Sequence, residues 1–279
     1  MKLLKQSYEI LDSLNEDYSM ENVYKFIEKC ARTCYKSENK ITNASALSFV
    51  KGLIKSGHLS MLEHGTIYYR VPLCNSVMSS FFVHNPYSKV NIVQDTDEDR
   101  AYYITTNLRV LIENKIDYER TNRFFFSKPT KYHYKRRTVK LITARQIANE
   151  FVRHRAFSFA QESTRYCNYA DNSKFENNLV FISPVFMKEK TTLSCSKYYD
   201  YLRKCENLYL ELKDNGWNTE EVATLLPNVT KTELIMTGFG EDWQHFFELR
   251  ADGMTGKPHP MAKEIAGMLQ KEMLDKNLI

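Results

Sequence analysis

The stretch Arg153-His154-Arg155-Ala156-Phe157-Ser158-Phe159-Ala160-Gln161-Glu162-Ser163-Thr164-Arg165-Tyr166 gathers three arginines and a histidine within thirteen residues. Its one acid is Glu162, whereas a solvated helix face mixes such cations with carboxylates at helical spacing. Arginine presents a planar fork of donors that pairs two-to-two with phosphate or carboxylate oxygens, and Ser163 and Thr164 add neutral donors. If residues 153–155 are extended, period-two alternation puts both guanidinium groups on one side and His154 on the other. Two readings of these residue types stand side by side: a phosphate-binding segment, and a basic surface turn carrying salt bridges.

Arg-His-Arg, seven residues, then Ser resembles the signature of the flavin-dependent thymidylate synthases, and Thr164-Arg165-Tyr166 is similar to that family's continuation. Three further segments occur in the family's order. Ala31-Arg32-Thr33-Cys34 resembles its Ala-Arg-x-Ser/Cys, and Gly57-His58-Leu59-Ser60-Met61-Leu62-Glu63-His64 resembles its Gly-His-x-Ser/Thr-x-x-Glu-His. Leu226-Pro227-Asn228 through Trp243-Gln244-His245-Phe246-Phe247 to Leu249-Arg250 is similar to its C-terminal segment.

The resemblance implies an α/β (α+β) fold, a mixed sheet packed by helices, in one domain over residues 1–279 with an insertion at about 75–137. It implies that deoxyuridylate (dUMP) is methylated to thymidylate (dTMP), with 5,10-methylenetetrahydrofolate as carbon donor and NADPH-reduced FAD as hydride source. For dUMP it nominates Glu150, Arg153, Gln161, Ser163, Thr164, Arg165 and Arg250. For FAD it nominates Cys34, Ser60, Glu63, Arg153, His154, Arg155, Gln161 and His245, with His58 near the folate. Arg250 is the implied catalytic residue, activating the uracil ring. In the family the sites lie between subunits of a homotetramer, so that assembly is expected.

Lys plus Arg is 39 against 34 for Asp plus Glu, a surplus too small to argue for a nucleic-acid protein by itself and one that suits an anionic small substrate. The hydrophobic share of 43% can fill a core. Met1-Lys2-Leu3-Leu4-Lys5 lacks the apolar run of a signal peptide, and no eighteen apolar residues are consecutive, so a soluble, cytoplasmic protein without membrane contact is expected. Six cysteines without an export signal read as reduced thiols. Cys30 and Cys34 lack a second pair, and His58 and His64 lack the i, i+4 spacing of two ligands on one helix, so no metal is expected.

Apolar positions from Val23 to Cys34 predict a helix capped by Ser19, and a second helix is predicted over about 43–56 with Gly57 as its stop. Ile67-Tyr68-Tyr69-Arg70-Val71 reads as a strand ending at Pro72. Within the insertion, 95–99 reads as an acidic solvated loop, the run around Val110-Leu111-Ile112 as a helix, and 128–137 as an exposed basic and aromatic strand. The stripe Leu141, Ala144, Ile147, Ala148, Phe151 and Val152 predicts a helix leading into Arg153, and about 196–215 another, stopped by Gly216. Thr230 and Glu233 form a capping-box pattern that predicts a helix from there to Arg250.

There is no Gly-x-Gly-x-x-Gly or Gly-x-x-x-x-Gly-Lys, so side chains must hold a nucleotide, and no Pro-Cys offers a thiol nucleophile. Two departures stand out against the family. Glu221-Val222-Ala223-Thr224-Leu225 lacks its phosphate-reaching arginine, and Gly238-Phe239-Gly240-Glu241-Asp242 has acid where its Asn-x-Arg carries a cation. Two other functions therefore stay open at this level: a flavin-binding homologue without efficient turnover, and a nucleic-acid-binding protein that uses 128–137.

Overall fold

The computed structural model describes residues 1–11, 17–74, 76–96 and 99–279. Its strands are β1 (Lys2–Leu4), β2 (Ser7–Ile10), β3 (Thr66–Pro72), β4 (Lys89–Thr96), β5 (Asp99–Asn107), β6 (Arg136–Ala144), β7 (Ser158–Gln161), β8 (Val180–Ile182) and β9 (Lys231–Phe239). They form three sheets, β2-β6-β9-β7, β3-β5-β4 and β1-β8. The β1-β8 pair is parallel and the pairs of the other two sheets are antiparallel, so the α/β class holds with its sheet content divided.

The larger sheet positions the site. In β9 every residue from Thr232 to Phe239 is buried, and the strand lies between β6 and β7 with Arg136 opposite Phe239 and Ala144 opposite Lys231. One face carries Val139, Leu141, Leu234 and Met236 into a core shared with Trp243, Phe246 and Phe247, and with Ile265 and Leu269 of the Pro260–Asp275 helix. The other face packs Ala160 and Ile235 on Leu11 and on Cys30 of the Met20–Thr33 helix.

Two predicted helices are corrected here. The pattern Thr230-x-x-Glu233 caps nothing: the Thr230 hydroxyl donates to the Pro227 carbonyl at 2.7 Å, and Glu233 pairs with Lys36, Lys140 and Lys231 across the sheet. A strand covered on both faces loses its polar alternation and reads like a buried helix. The helix starts instead at Gly240–Phe247, where Asp242 Oδ2 accepts the Phe239 N–H at 2.8 Å. Likewise Leu141 and Ala144 belong to β6, and the helix is only Arg145–Phe151. A strand running straight into a helix lets one core collect both apolar sets.

Met20–Thr33 and Ser45–Lys55 are helical as the spacing predicts, although the Ser19 side chain makes no cap bond. Gly57 and Gly216 stop their helices at φ +73° and +88°, conformations that glycine adopts without strain. The run near residue 110 is the Leu108–Glu113 helix, capped by Asn107, whose Oδ1 accepts from Val110 N at 3.1 Å. Segment 75–137 supplies β4 and β5, and β5 pairs along the length of β3. Of the acidic patch 95–99, residues 97 and 98 lie outside the described residues.

The predicted exposed strand at 128–137 is also corrected: residues 128–135 form turns, and only Arg136 and Arg137 enter β6. His133 and Arg136 are buried. His133 Nε2 donates to the Tyr69 carbonyl at 3.1 Å, and Arg136 Nη1 donates to the Glu63 carbonyl at 2.8 Å. Internal hydrogen bonds thus consume part of the basic set that a nucleic-acid reading requires. All six cysteines are free thiols, and among the described residues no helix is long and apolar enough to cross a membrane.

Candidate active site

A cavity of about 480 Å³ opens where the signature turn meets the start and end of the Gly240–Phe247 helix, between Arg153, His154, Arg155, Phe157, Asp242, His245, Leu249 and Arg250. Residues 153–156 form turns rather than a strand, yet the alternation survives: Arg153 and Arg155 are exposed and His154 is buried. Backbone bonds fix that turn, from His154 N to the Phe151 carbonyl at 3.0 Å and from Phe157 N to the His154 carbonyl at 3.1 Å. Among the described residues neither Arg153 nor Arg155 has an ion-pair partner.

Arg250 lies in a π-helical turn, Glu248–Asp252, that continues the preceding helix and is closed by Gly253 at φ +78°. Its Nε donates to His154 Nε2 at 2.9 Å, its Nη1 to Glu150 Oε2 at 3.3 Å and its Nη2 to the Glu150 carbonyl at 3.1 Å. Three of the five guanidinium N–H groups are thereby committed and two remain. Because Nε2 accepts, the imidazole is neutral with its proton on Nδ1. Burial first, then the charges of Arg250 and His245, pushes the His154 pKa down to about 4, which keeps it in that acceptor form. Phe246 packs on the ring with centroids 5.1 Å apart.

The acids at the cavity rim are engaged locally. Asp242 caps its helix, and burial raises its pKa. Glu241 pairs with Lys89, whose ammonium lies 4.8 Å from the centre of the Phe239 ring. His245 is largely exposed and lines the cavity, with Glu248 Oε2 at 3.4 Å from its Nδ1.

The other nominated residues lie on two neighbouring stretches that meet where Cys34 Sγ approaches Met61 Sδ at 4.0 Å. Ser163 N donates to the Cys34 carbonyl at 2.9 Å, Arg165 N to Ser163 Oγ at 3.3 Å and Arg165 Nε to Glu220 at 2.9 Å. Gln161 Nε2 reaches Thr232 Oγ1 at 3.4 Å, and Thr164 is half-buried beside this group. His58 and Ser60 are exposed around the Leu59–His64 turn, which carries Met61, and the Glu63 carboxylate binds Arg109. None of these side chains lines the 480 Å³ cavity. Burial raises the Cys34 thiol to about 11 and Cys167 to about 12, against a thiolate nucleophile.

Sequence reasoning nominated Glu150, His154 and Arg250 but missed that they touch, since 96 and 100 residues separate the partners and no spacing signals it. It also missed Arg145, whose Nη1 is buried without a hydrogen-bond partner.

Two arginines without ion-pair partners among the described residues and a third held by three hydrogen bonds give this α/β protein a cavity whose charge suits an anion. The sequence matches the family described as thymidylate synthase complementing protein over residues 17–131 and 133–273. The chain belongs to this family, that of the flavin-dependent thymidylate synthases. It is 31% identical over 136 residues to the flavin-dependent thymidylate synthase of Synechocystis sp., covering 46% of this chain and 61% of that one. With the probable flavin-dependent thymidylate synthase of Paramecium bursaria Chlorella virus 1 it shares 29% over 133 residues, covering 44% and 60%. With that of Pyrococcus furiosus it shares 28% over 134 residues, covering 48% and 52%. The matches thus span about half to three-fifths of these relatives. A crystal structure of the UMP/dUMP methylase PolB from Streptomyces cacaoi bound with 5-Br dUMP aligns over 99% of this chain and 93% of its own, at 15% identity and a TM-score of 0.46.

Proposed function

We propose that the protein methylates dUMP to dTMP with 5,10-methylenetetrahydrofolate as carbon donor and NADPH, acting through FAD, as reductant. The observation that carries this reading is the Glu150–Arg250–His154 contact, which holds a guanidinium at the cavity wall with two N–H groups uncommitted. The uracil C5 is a poor nucleophile until electron density enters the ring. A fixed guanidinium beside N3 and a carbonyl oxygen stabilises the anionic ring, an effect worth about 3 kcal/mol for one preorganised donor. In the overall change C5 loses a proton and gains a methylene carbon and a hydride.

FAD fits the residues present: Arg153 and Arg155 are unpaired donors for its phosphates, and Phe157 and Leu249 offer apolar surface in the same cavity. Bound there it would carry hydride equivalents from NADPH. Arg153 would serve both ligands, with Gln161, Ser163, Thr164 and Arg165 gripping dUMP, Cys34, Ser60, Glu63 and His245 completing the flavin site, and His58 near the folate. Ser163, Arg165, His58 and Ser60 do not line the cavity that holds Arg250, and a homotetramer in which subunits share sites would bring them to it. The protein would work in the cytoplasm, where these co-substrates occur. The test is anaerobic: purified protein should be yellow, be bleached by NADPH, and convert dUMP to dTMP only with methylenetetrahydrofolate. Protein that binds no flavin when loaded with FAD would end this reading.

A further inference from the structure

A second cavity, of about 280 Å³, opens where the β1-β8 pair and the short Asn172–Phe175 helix meet the ends of β6 and β9. It shares no lining residue with the Arg250 cavity, and none of the residues nominated for nucleotide, flavin or folate lines it. Two buried carboxylates stand in its wall, and their charges are already spent. Glu162 accepts from Tyr169 OH at 3.0 Å, from Lys231 Nζ at 2.7 Å and from Glu233 N at 3.2 Å. Glu233 meets Lys231 and Lys140 at 2.6 Å each and Lys36 at 2.8 Å. Burial works against its ionisation, yet the ammonium groups of Lys231, Lys140 and Lys36 hold the Glu233 carboxyl well below the usual carboxylate range. What the wall has left to offer is donors. An ammonium carries three N–H groups; Lys36, shared by Glu38 and Glu233, and Lys231, shared by Glu162 and Glu233, each keep one uncommitted. Lys2 and Lys174 also line the cavity, are exposed, and among the described residues make no ion pair. The charges of Lys36, Lys231 and Lys174 all reach the Cys167 thiol, so these ammonium groups converge on one place. Glu38, Glu162 and Glu233 cancel Lys36, Lys140 and Lys231, which leaves Lys2 and Lys174 against Glu176, a surplus of one positive charge. Leu4, Ile142, Phe175 and Val180 supply apolar surface beside them.

We propose that this cavity binds a small organic monoanion, an aryl or branched aliphatic carboxylate, with its carboxylate among the lysines and its apolar body against Leu4, Ile142, Phe175 and Val180. The volume lies just below the range of about 300–1,000 Å³ typical of small-molecule clefts, which suits a body the size of one ring. A cation would meet buried acids whose oxygens are taken, and an inorganic anion would leave the apolar wall uncovered. The site stands on its own side chains and does not depend on the nucleotide reading above. Its probe is para-fluorobenzoate, titrated against the full chain and followed by fluorine NMR, with para-fluorobenzamide as the neutral match. The wild-type protein should broaden the benzoate signal saturably in the millimolar range, and the benzamide should bind about tenfold more weakly, having lost the charge-assisted contacts. Lys2→Gln combined with Lys174→Gln breaks no internal ion pair, so the fold should keep its thermal midpoint while para-fluorobenzoate binding weakens by about threefold to tenfold. Lys5→Gln, exposed and outside the cavity, removes one charge from the surface and should leave binding unchanged. Arg153→Gln combined with Arg155→Gln should also leave it unchanged, whereas a probe seated in the Arg250 cavity would be lost. The proposal is overturned if wild type gives no saturable broadening, if the benzamide binds as well as the benzoate, or if the Lys2 and Lys174 substitutions leave full affinity. Loss of binding on the two arginine substitutions, or an equal loss in Lys5→Gln, would overturn it too, by placing the probe elsewhere or tracing its binding to bulk charge.

Discussion

Replacing Arg250 with Ala tests the catalytic geometry most directly, and the structure separates its cost to the fold from its cost to the reaction. The substitution removes an ion pair to Glu150 at 3.3 Å, whose side chains are 21% and 22% exposed and which is worth about 1 kcal/mol, and the donor to His154 Nε2, worth about 1 kcal/mol. The Phe246 and Phe247 packing beneath it is untouched. Stability should fall by about 1–2 kcal/mol, a few degrees in thermal midpoint for a chain of this size. Methyl transfer should fall further, by about 10²–10³, because the lost donor acts mainly on charge that develops in the transition state. Flavin content and reduction by NADPH should persist. Arg250→Lys should recover only part, since an ammonium supplies charge without a planar fork, and one flexible amine cannot make the three bonds that orient Arg250. The assay is single-turnover dTMP formation from pre-reduced protein at saturating dUMP and methylenetetrahydrofolate. A wild-type rate in Arg250→Ala would show that the guanidinium is structural and that ring activation comes from elsewhere.

Cys167→Ala should leave dTMP formation within about tenfold, about 1.4 kcal/mol in barrier, because burial keeps that thiol protonated; loss of turnover with flavin retained would point to covalent chemistry. Acid should destabilise the fold through two histidines held neutral, His154 with its pKa near 4 and His64 near 3, both chiefly by burial. The unfolded chain protonates them near pH 6.5, so their contribution is complete above that pH and is lost as pH falls towards 4 and 3. Urea midpoints measured from pH 7 to 5 should drop, and His154→Gln, which retains an acceptor for Arg250 without titrating, should lessen that slope by about half; an unaltered slope would show that His154 is solvated. Gly238→Ala should destabilise by about 1–3 kcal/mol, since its Cβ would lie 2.6 Å from Cε1 of the packed Phe157 ring; an unshifted thermal midpoint would mean that the ring moves aside freely.

What the sequence made legible follows the reach of its periodicities. The Met20–Thr33 helix carries apolar residues at its own period with one face against a core, and β3 is marked by its β-branched and aromatic residues and by Pro72 at its end; both were read correctly. β9 has no solvent face, so its Leu234-Ile235-Met236 run carries no period, and nearby Thr230 and Glu233 supplied a plausible cap to the wrong element. The signature was legible because its residues are contiguous, and the exposure of Arg153 and Arg155 on either side of buried His154 emerged as expected although the backbone turns. The bond from Arg250 to His154 was not legible. It depends on where the Arg145–Phe151 helix and the π-helical turn end in space, and β6 and β9 set that by pairing in register.

The two acids at the rim show how local contacts can outweigh a change of sign in the sequence. Where the family resemblance calls for a cation, Glu241 and Asp242 look fatal to anion binding if each contributes a full negative charge to the cavity. The structure assigns each a partner. Lys89, carried by β4, meets the Glu241 carboxylate, so that pair is close to neutral at any distance larger than its own separation. Asp242 spends one oxygen on the Phe239 N–H, and its burial disfavours the charged form. Arg153 and Arg155 have no such compensation. The field across the cavity therefore remains that of the arginines. β4 comes from segment 75–137, so that segment contributes to the electrostatics of the site through Lys89 as well as to the smaller sheet through its pairing with β5.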